Sequence, residues 1–229
     1  METLRKPFVA LTVVAIIVIS LASVGPLVYR LITDPGIRTG GINAENAIPA
    51  ATGVDGHWKL VPGSGANTTG VGFTFNEVLP GERKSTSGST YEVTGFLDVT
   101  DGALTTGEVV ADTTAIRTDI EKRDINVRRN ILHTDEFPTA TFRVSGPIDL
   151  SALPDDGTVT GVEVPGVLTL HGTSRDVTPT LDILRTGERV IVAGVLTVNR
   201  TDYNIHTPEF VAATIAEEGE INIRLVFEK

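Results

Sequence analysis

Residues 221–228, INIRLVFE, alternate apolar and polar side chains at a period of two: Ile221, Ile223, Leu225 and Phe227 point one way, Asn222, Arg224 and Glu228 the other. That is the pattern of a β-strand with one buried face. Val226 alone breaks it. The stretch TGVGFTFNEV, residues 69–78, repeats the pattern, with Val71, Phe73 and Phe75 opposed to Gly72, Thr74 and Asn76. Three further strands share the form V-x-G-x-L-x-[VL]: VTGFLDV at 93–99, VPGVLTL at 164–170 and VAGVLTV at 192–198. In each, the Val, the Gly, the Leu and the last apolar residue fall on one face. A glycine in mid-face weakens a strand but lets it coil sharply, as a sheet closing on itself requires. The expected fold class is all-β: an extended antiparallel barrel of about eight strands, wide enough for one small ligand or for its own side chains. An ordinary sandwich with glycine-bearing strands is the alternative.

One short helix interrupts the strands. Thr118-Asp-Ile-Glu121 has the form of a capping box, and Ile120, Val127 and Ile131 follow at helical spacing beside Arg123, Arg128 and Arg129. The next strand, TATFRVSG at 139–146, turns Ala140, Phe142 and Val144 inward.

Ahead of the strands, FVALTVVAIIVISLASVGPLVY at 8–29 carries no charge over 22 residues, and about 20 suffice to cross a bilayer as a helix. Arg5 and Lys6 favour a cytoplasmic N-terminus, which exports everything after Tyr29. A signal peptide cut after the small residues Ser20 and Ala22 is the competing reading. The expected organisation is therefore a transmembrane or signal helix over 1–30, a flexible linker over 31–55 rich in Gly, Pro and Asn, and the β-domain over 56–229.

Of the 229 residues, 51–229 hold 15 basic and 26 acidic side chains, a net of -11. Such a surface repels phosphate backbones, so no nucleic acid partner is expected. The chain has no cysteine, which excludes thiol catalysis, disulfides and thiolate metal sites. His57, His133, His171 and His206 show no metal-ligand spacing, and neither a metal nor a cofactor is expected. Gly63-Ser64-Gly65 lacks the flanks of a nucleophile elbow. The acidic clusters Asp155-Asp156-Gly157 and Glu217-Glu218-Gly219 read as turns.

Four segments, in this order, carry a resemblance: GEVVADTTAIRTD at 107–119, RDINVRRNILHTDEFPTATF at 123–142, GVLTLHGTSRDVTPTLD at 166–182 and GVLTVNRTDYNI at 194–205. Together they resemble the YceI family of polyisoprenoid- or lipid-binding proteins over about 57–229. The most specific pieces are Arg123-Asp124 with Val127-Arg128, Phe137-Pro138-Thr139-Ala140-Thr141-Phe142, Leu168-Thr169 with His171-Gly172-Thr173, and Asn199-Arg200-Thr201-Asp202-Tyr203. The chain departs from the usual pattern at Val127, where Leu is common, at Ile131-Leu132-His133, where the family is more aromatic, and at Asn204, where Gly is common. The resemblance implies a lipocalin-like barrel that buries a long isoprenoid or fatty chain, with no reaction attributed to it, in proteins that are typically periplasmic or secreted.

On that reading the inward residues Phe73, Phe75, Leu97, Phe142, Leu168, Leu170, Leu196, Val198, Ile223 and Leu225 line an apolar tunnel. Plain core packing is the alternative for each. Motif position makes Arg128 and Arg200 the candidates for a lipid head group, unless they form ion pairs with Asp124 and Asp202. The expected partners are a polyisoprenoid or fatty-acyl lipid and the membrane, the latter through the N-terminal helix. A homodimer is left open. Two rival functions remain at this level: an enzyme acting on an apolar substrate through His133 or His171, and an envelope module with a solid core. By strand parity His171 points away from Leu168 and Leu170, against the first.

Overall fold

The computed structural model describes residues 37–79, 82–207 and 214–229. The helix expected over 8–29 lies outside them. Among the described residues, no helix is long and apolar enough to cross a membrane.

Among the described residues, fifteen strands and one short α-helix follow one another. They are β1 (Gly56–Val61), the small pair β2 (Gly63–Ser64) and β3 (Asn67–Thr68), β4 (Gly70–Leu79), β5 (Glu82–Thr90), β6 (Val93–Thr100) and β7 (Ala103–Asp112). Helix α1 (Glu121–Asn126) comes next, then β8 (Thr139–Val144), β9 (Ile148–Asp149), β10 (Thr160–Glu163), β11 (Gly166–Leu170), β12 (Thr173–Val177), β13 (Thr180–Thr186), β14 (Arg189–Asn199) and β15 (Thr214–Glu228). All pairings between named strands are antiparallel. The main sheet runs β10-β13-β14-β15-β1-β6-β7-β8-β11-β12, with β4 and β5 branching from β15 and β9 from β7. It curls into a half-barrel whose two ends meet through one bent hairpin: β10 continues into β11 past Pro165, β12 into β13 past Pro179, and the arms pair as β11 with β12 and β10 with β13.

The three mid-face glycines are points of close approach. A Cβ on Gly95 would stand 2.4 Å from the Glu108 carbonyl oxygen, one on Gly166 2.3 Å from the Phe142 ring, and one on Gly194 2.7 Å from Leu181. Tight coiling presses neighbours into space that any side chain would fill.

Alternation sorts the interior correctly. Leu225 and Phe227 join Trp58, Val99, Leu104, Ile183 and Val192 in the larger inner cluster, and Leu168 and Val198 join Tyr203 and Ile205 in a second. Fully burying such a side chain contributes about 1.5–3 kcal/mol. The break at Val226 has a physical cause. It lies 1% exposed on the outer face, in a third cluster with Leu184 and Ile191, packed against Ile42, Ala47 and Val61.

The covering segment belongs to the stretch whose composition reads as a linker. Residues 37–55 are instead laid along the sheet. Arg38 donates to Asn222 Oδ1 (3.3 Å) and pairs with Glu220 (2.7 Å), Thr39 bonds Ser89 (2.9 Å), and Ala51 donates to the Gly187 carbonyl (2.7 Å). Under this cover Asn222 is 1% exposed and donates to Thr74, which bonds Ser87. Small polar residues suit a linker, but here they supply hydroxyls and amides for a buried polar layer.

Around α1 the capping box does not form. The Thr118 hydroxyl donates to Asp124 Oδ1 (2.7 Å), which also accepts from the Thr118 backbone (2.6 Å), and the helix begins at Glu121. A π-helical turn, Val127–Ile131, follows directly. Glu217-Glu218-Gly219 lies within β15, at a register shift between Ile215 and Gly219, rather than in a turn. Asn204 takes the left-handed conformation at φ +55°, which explains why its position suits glycine.

Candidate functional site: an apolar lumen

The inner faces of the strands enclose three cavities, arranged in sequence because each shares lining with the next. The first, about 160 Å³, lies under α1 and the π-turn. The second, about 80 Å³, shares Val71, Ala111, Ala140 and Ile221 with it. The third, about 70 Å³, shares Val109, Phe142, Leu181 and Leu225 with the second and ends against Trp58, Leu104 and Leu153.

All ten apolar residues read from alternation face this interior. Phe73, Phe75, Leu170 and Val198 line the first cavity. Phe142, Leu168, Leu196, Ile223 and Leu225 line the second, and Phe142, Leu225 and Leu97 the third. Phe73 and Phe75 pack with ring centroids 6.3 Å apart.

Sequence reasoning missed the roof. Val127, Ile131 and Leu132, which include two of the departures from the family pattern, close the first cavity from above. Arg123 and Asn126 border it from α1, Arg123 one helical turn before Val127. Thr86 and Thr90 line it from β5, whose sequence has no apolar alternation to reveal an inner face.

The two head-group candidates part company. Arg128 does not border the lumen; its Nη1 donates to the Thr114 carbonyl (3.3 Å). One residue beyond Val127, it is turned by about 100° around the helix axis. Arg200 does line the first cavity, held by three backbone carbonyls: Nε donates to Ala216 (3.2 Å), Nη1 to Ile205 (2.9 Å) and Nη2 to Ile215 (3.4 Å). Neither forms the ion pair that its motif suggests. Asp124 is occupied by Thr118, and the charge at the rim pairs instead as Arg123 with Asp119.

His171 sits at the β11–β12 turn with φ +50°. Its Nδ1 is 3.2 Å from the Tyr203 carbonyl, which makes Nδ1 the donor, and its ring lies 4.4 Å from Phe137 and 5.6 Å from His133. Neither histidine borders the three cavities. Tyr203 beside it is held above the usual phenol pKa, first by burial and then by the Asp202 carboxylate, so it stays neutral. No group of three His, Cys, Asp or Glu side chains able to hold a metal ion occurs among the described residues.

A curled antiparallel half-barrel around an apolar lumen defines a class of small binding folds. The chain matches the YceI-like domain over residues 58–227, and it belongs to that family. No curated protein matches it. Among solved structures it is similar to a polyisoprenoid binding domain from Saccharophagus degradans implicated in plant cell wall breakdown, with 20% identity, a TM-score of 0.58, and coverage of 75% of this chain and 97% of that one. It is also similar to Burkholderia cenocepacia BcnA, with 20% identity, a TM-score of 0.52, and coverage of 67% and 95%.

Proposed function

We propose that this protein binds one apolar chain, isoprenoid or fatty-acyl, inside the half-barrel, and serves as a carrier or buffer at the outer side of the cytoplasmic membrane, tethered through residues 8–29. The observation that carries this reading is the row of three voids walled almost wholly by hydrocarbon. Empty apolar cavities of this size stay dry and accept apolar guests. The Saccharophagus relative, described as a polyisoprenoid binding domain, supports the same ligand class.

Each methylene taken from water contributes about 0.8 kcal/mol. A tail taken from a bilayer gains little of this, because it is already in hydrocarbon. Firm retention in water and ready exchange at a membrane therefore coexist. The reading is one of binding rather than catalysis, since His133 and His171 stand apart from the lumen. Arg200, rigidly held at the first cavity, is the candidate contact for a head group.

Organic extraction of the purified full chain followed by mass spectrometry tests the reading. About one lipid per chain is expected. A chain that yields none, and takes up none when offered, overturns it; conversion of added lipid to a product would favour an enzyme.

A further inference from the structure

We propose that the lumen imposes a ceiling on ligand chain length, set by two features: the Ala111–Ala140 pair, which holds the upper passage open, and Phe142, which closes the lower one. The inference rests on the lipid-binding reading above and names the ligand length that this particular interior admits.

The order of the cavities gives the ceiling. A chain that fills the 160 Å³ cavity and then the 80 Å³ cavity meets Phe142 before it can reach the third, of 70 Å³.

The upper passage is open because its walls are small. Ala111 in β7 and Ala140 in β8 stand directly opposite each other in the ladder, and both line the first and second cavities. One turn of the alternation further on, Phe142 stands opposite Val109 and lines the second and third cavities. Its ring leans along the strand over Gly166, filling the place where a Cβ would be, with Cζ 2.3 Å from that position. A ring seated on a glycine has no second resting place without moving the strand. It is a fixed partition, and Leu225 and Leu181 complete it from the opposite wall.

Two substitutions should move the ceiling in opposite directions. Ala140→Leu fills the upper passage, and Phe142→Ala removes the partition and joins the second and third cavities. The experiment measures the affinity of the full-length wild type and both variants for straight-chain fatty acids of eight to twenty-two carbons, by displacement of a fluorescent fatty acid. For the wild type, affinity rises up to about fourfold per methylene until the chain reaches the Phe142 partition, and then levels or falls. The break moves to shorter chains in Ala140→Leu and to longer chains in Phe142→Ala.

A wild-type affinity that climbs unbroken to C22 overturns the proposal, as does a break that stays in place in both variants. If one variant fails to fold, the other still decides, because each predicts a shift of its own sign. Failure of every acid to displace the probe is a different result, and it removes the lipid-binding reading itself.

Discussion

Gly219 of β15 stands opposite Phe75 of β4, and the Phe75 ring lies within 2.4 Å of the point where a Cβ on Gly219 would sit. The pairing falls at the register shift in β15 and fixes an aromatic wall of the first lumen cavity. Gly219→Ala therefore drives the ring off its seat. The expected cost is about 1–3 kcal/mol, read as a lower denaturant midpoint at unchanged slope, together with weaker lipid uptake. An unchanged midpoint would mean that the ring moves freely.

Leu168 is buried and lines the second cavity. In Leu168→Lys an ammonium enters a space with no partner for it. The protein should still express but retain less than about a tenth of its lipid. Thr105→Lys, on the exposed outer face, is the control and should retain all of it. Equal recovery from the two variants would remove Leu168 from the ligand's path.

The strap over the outer face can be tested through one hydroxyl. Ser89 Oγ donates its single proton to the Ile37 carbonyl (2.9 Å), so Thr39 is the donor in the bond between Thr39 and Ser89. Thr39→Val keeps the volume and leaves the Ser89 oxygen without that donor. Stability should fall by about 1 kcal/mol, and hydrogen exchange at 37–43 should quicken while the barrel interior is unaffected. No change in exchange there would mean that the strap's remaining bonds, from Arg38, Ile37 and Asn43, hold it without this one.

Acid sensitivity has a local source. Asp149 accepts from Ser151 and Asp156 from Thr158, and these hydrogen bonds, side chain first and then backbone, hold both carboxyls below the ordinary 3.8. A folded-state pKa below the unfolded one gives stabilisation that is present above about pH 4 and is lost as the pH falls through the lowered value. The double variant Asp149→Asn with Asp156→Asn should thus differ from wild type in thermal midpoint at pH 7 and approach it in strong acid. A difference that persists unchanged in strong acid would contradict this.

The fold was legible where one face meets apolar interior and the other meets water, because the period of two is then written in residue type. That holds for Phe73 and Phe75, and for Ile221 to Phe227. It fails where both faces are covered. Asn222 and Val226 carry opposite chemistry on the same outer face, and only the placement of 37–50 accounts for both. The strap was hidden because its work is done by hydroxyls, amides and a few small apolar groups, which composition cannot tell from a solvated linker.

The site was half legible. Arg123, Val127 and Ile131 lie four residues apart, so the helical phase already places Arg123 on the inner side and Arg128 off it; motif position pointed to Arg128 instead. Thr86 and Thr90 gave no signal, since a threonine-lined wall in the sequence STSGST, residues 85–90, looks the same on either face of β5.

The bent hairpin that joins the two ends of the sheet does so unequally. Its lower arm, β13, is laddered to β14 over five residue pairs, whereas the upper arm, β12, meets the turn after β14 through side chains. Arg175 donates to the Asp202 carbonyl, Asn204 to Thr173, and His171 to the Tyr203 carbonyl. Each of these bonds can be traded for water one at a time, and Pro165 and Pro179 mark the crease about which the arm would swing. Loading and release would then follow a few side-chain rearrangements beside the roomiest part of the lumen, on the timescale of loops and not that of unfolding a sheet.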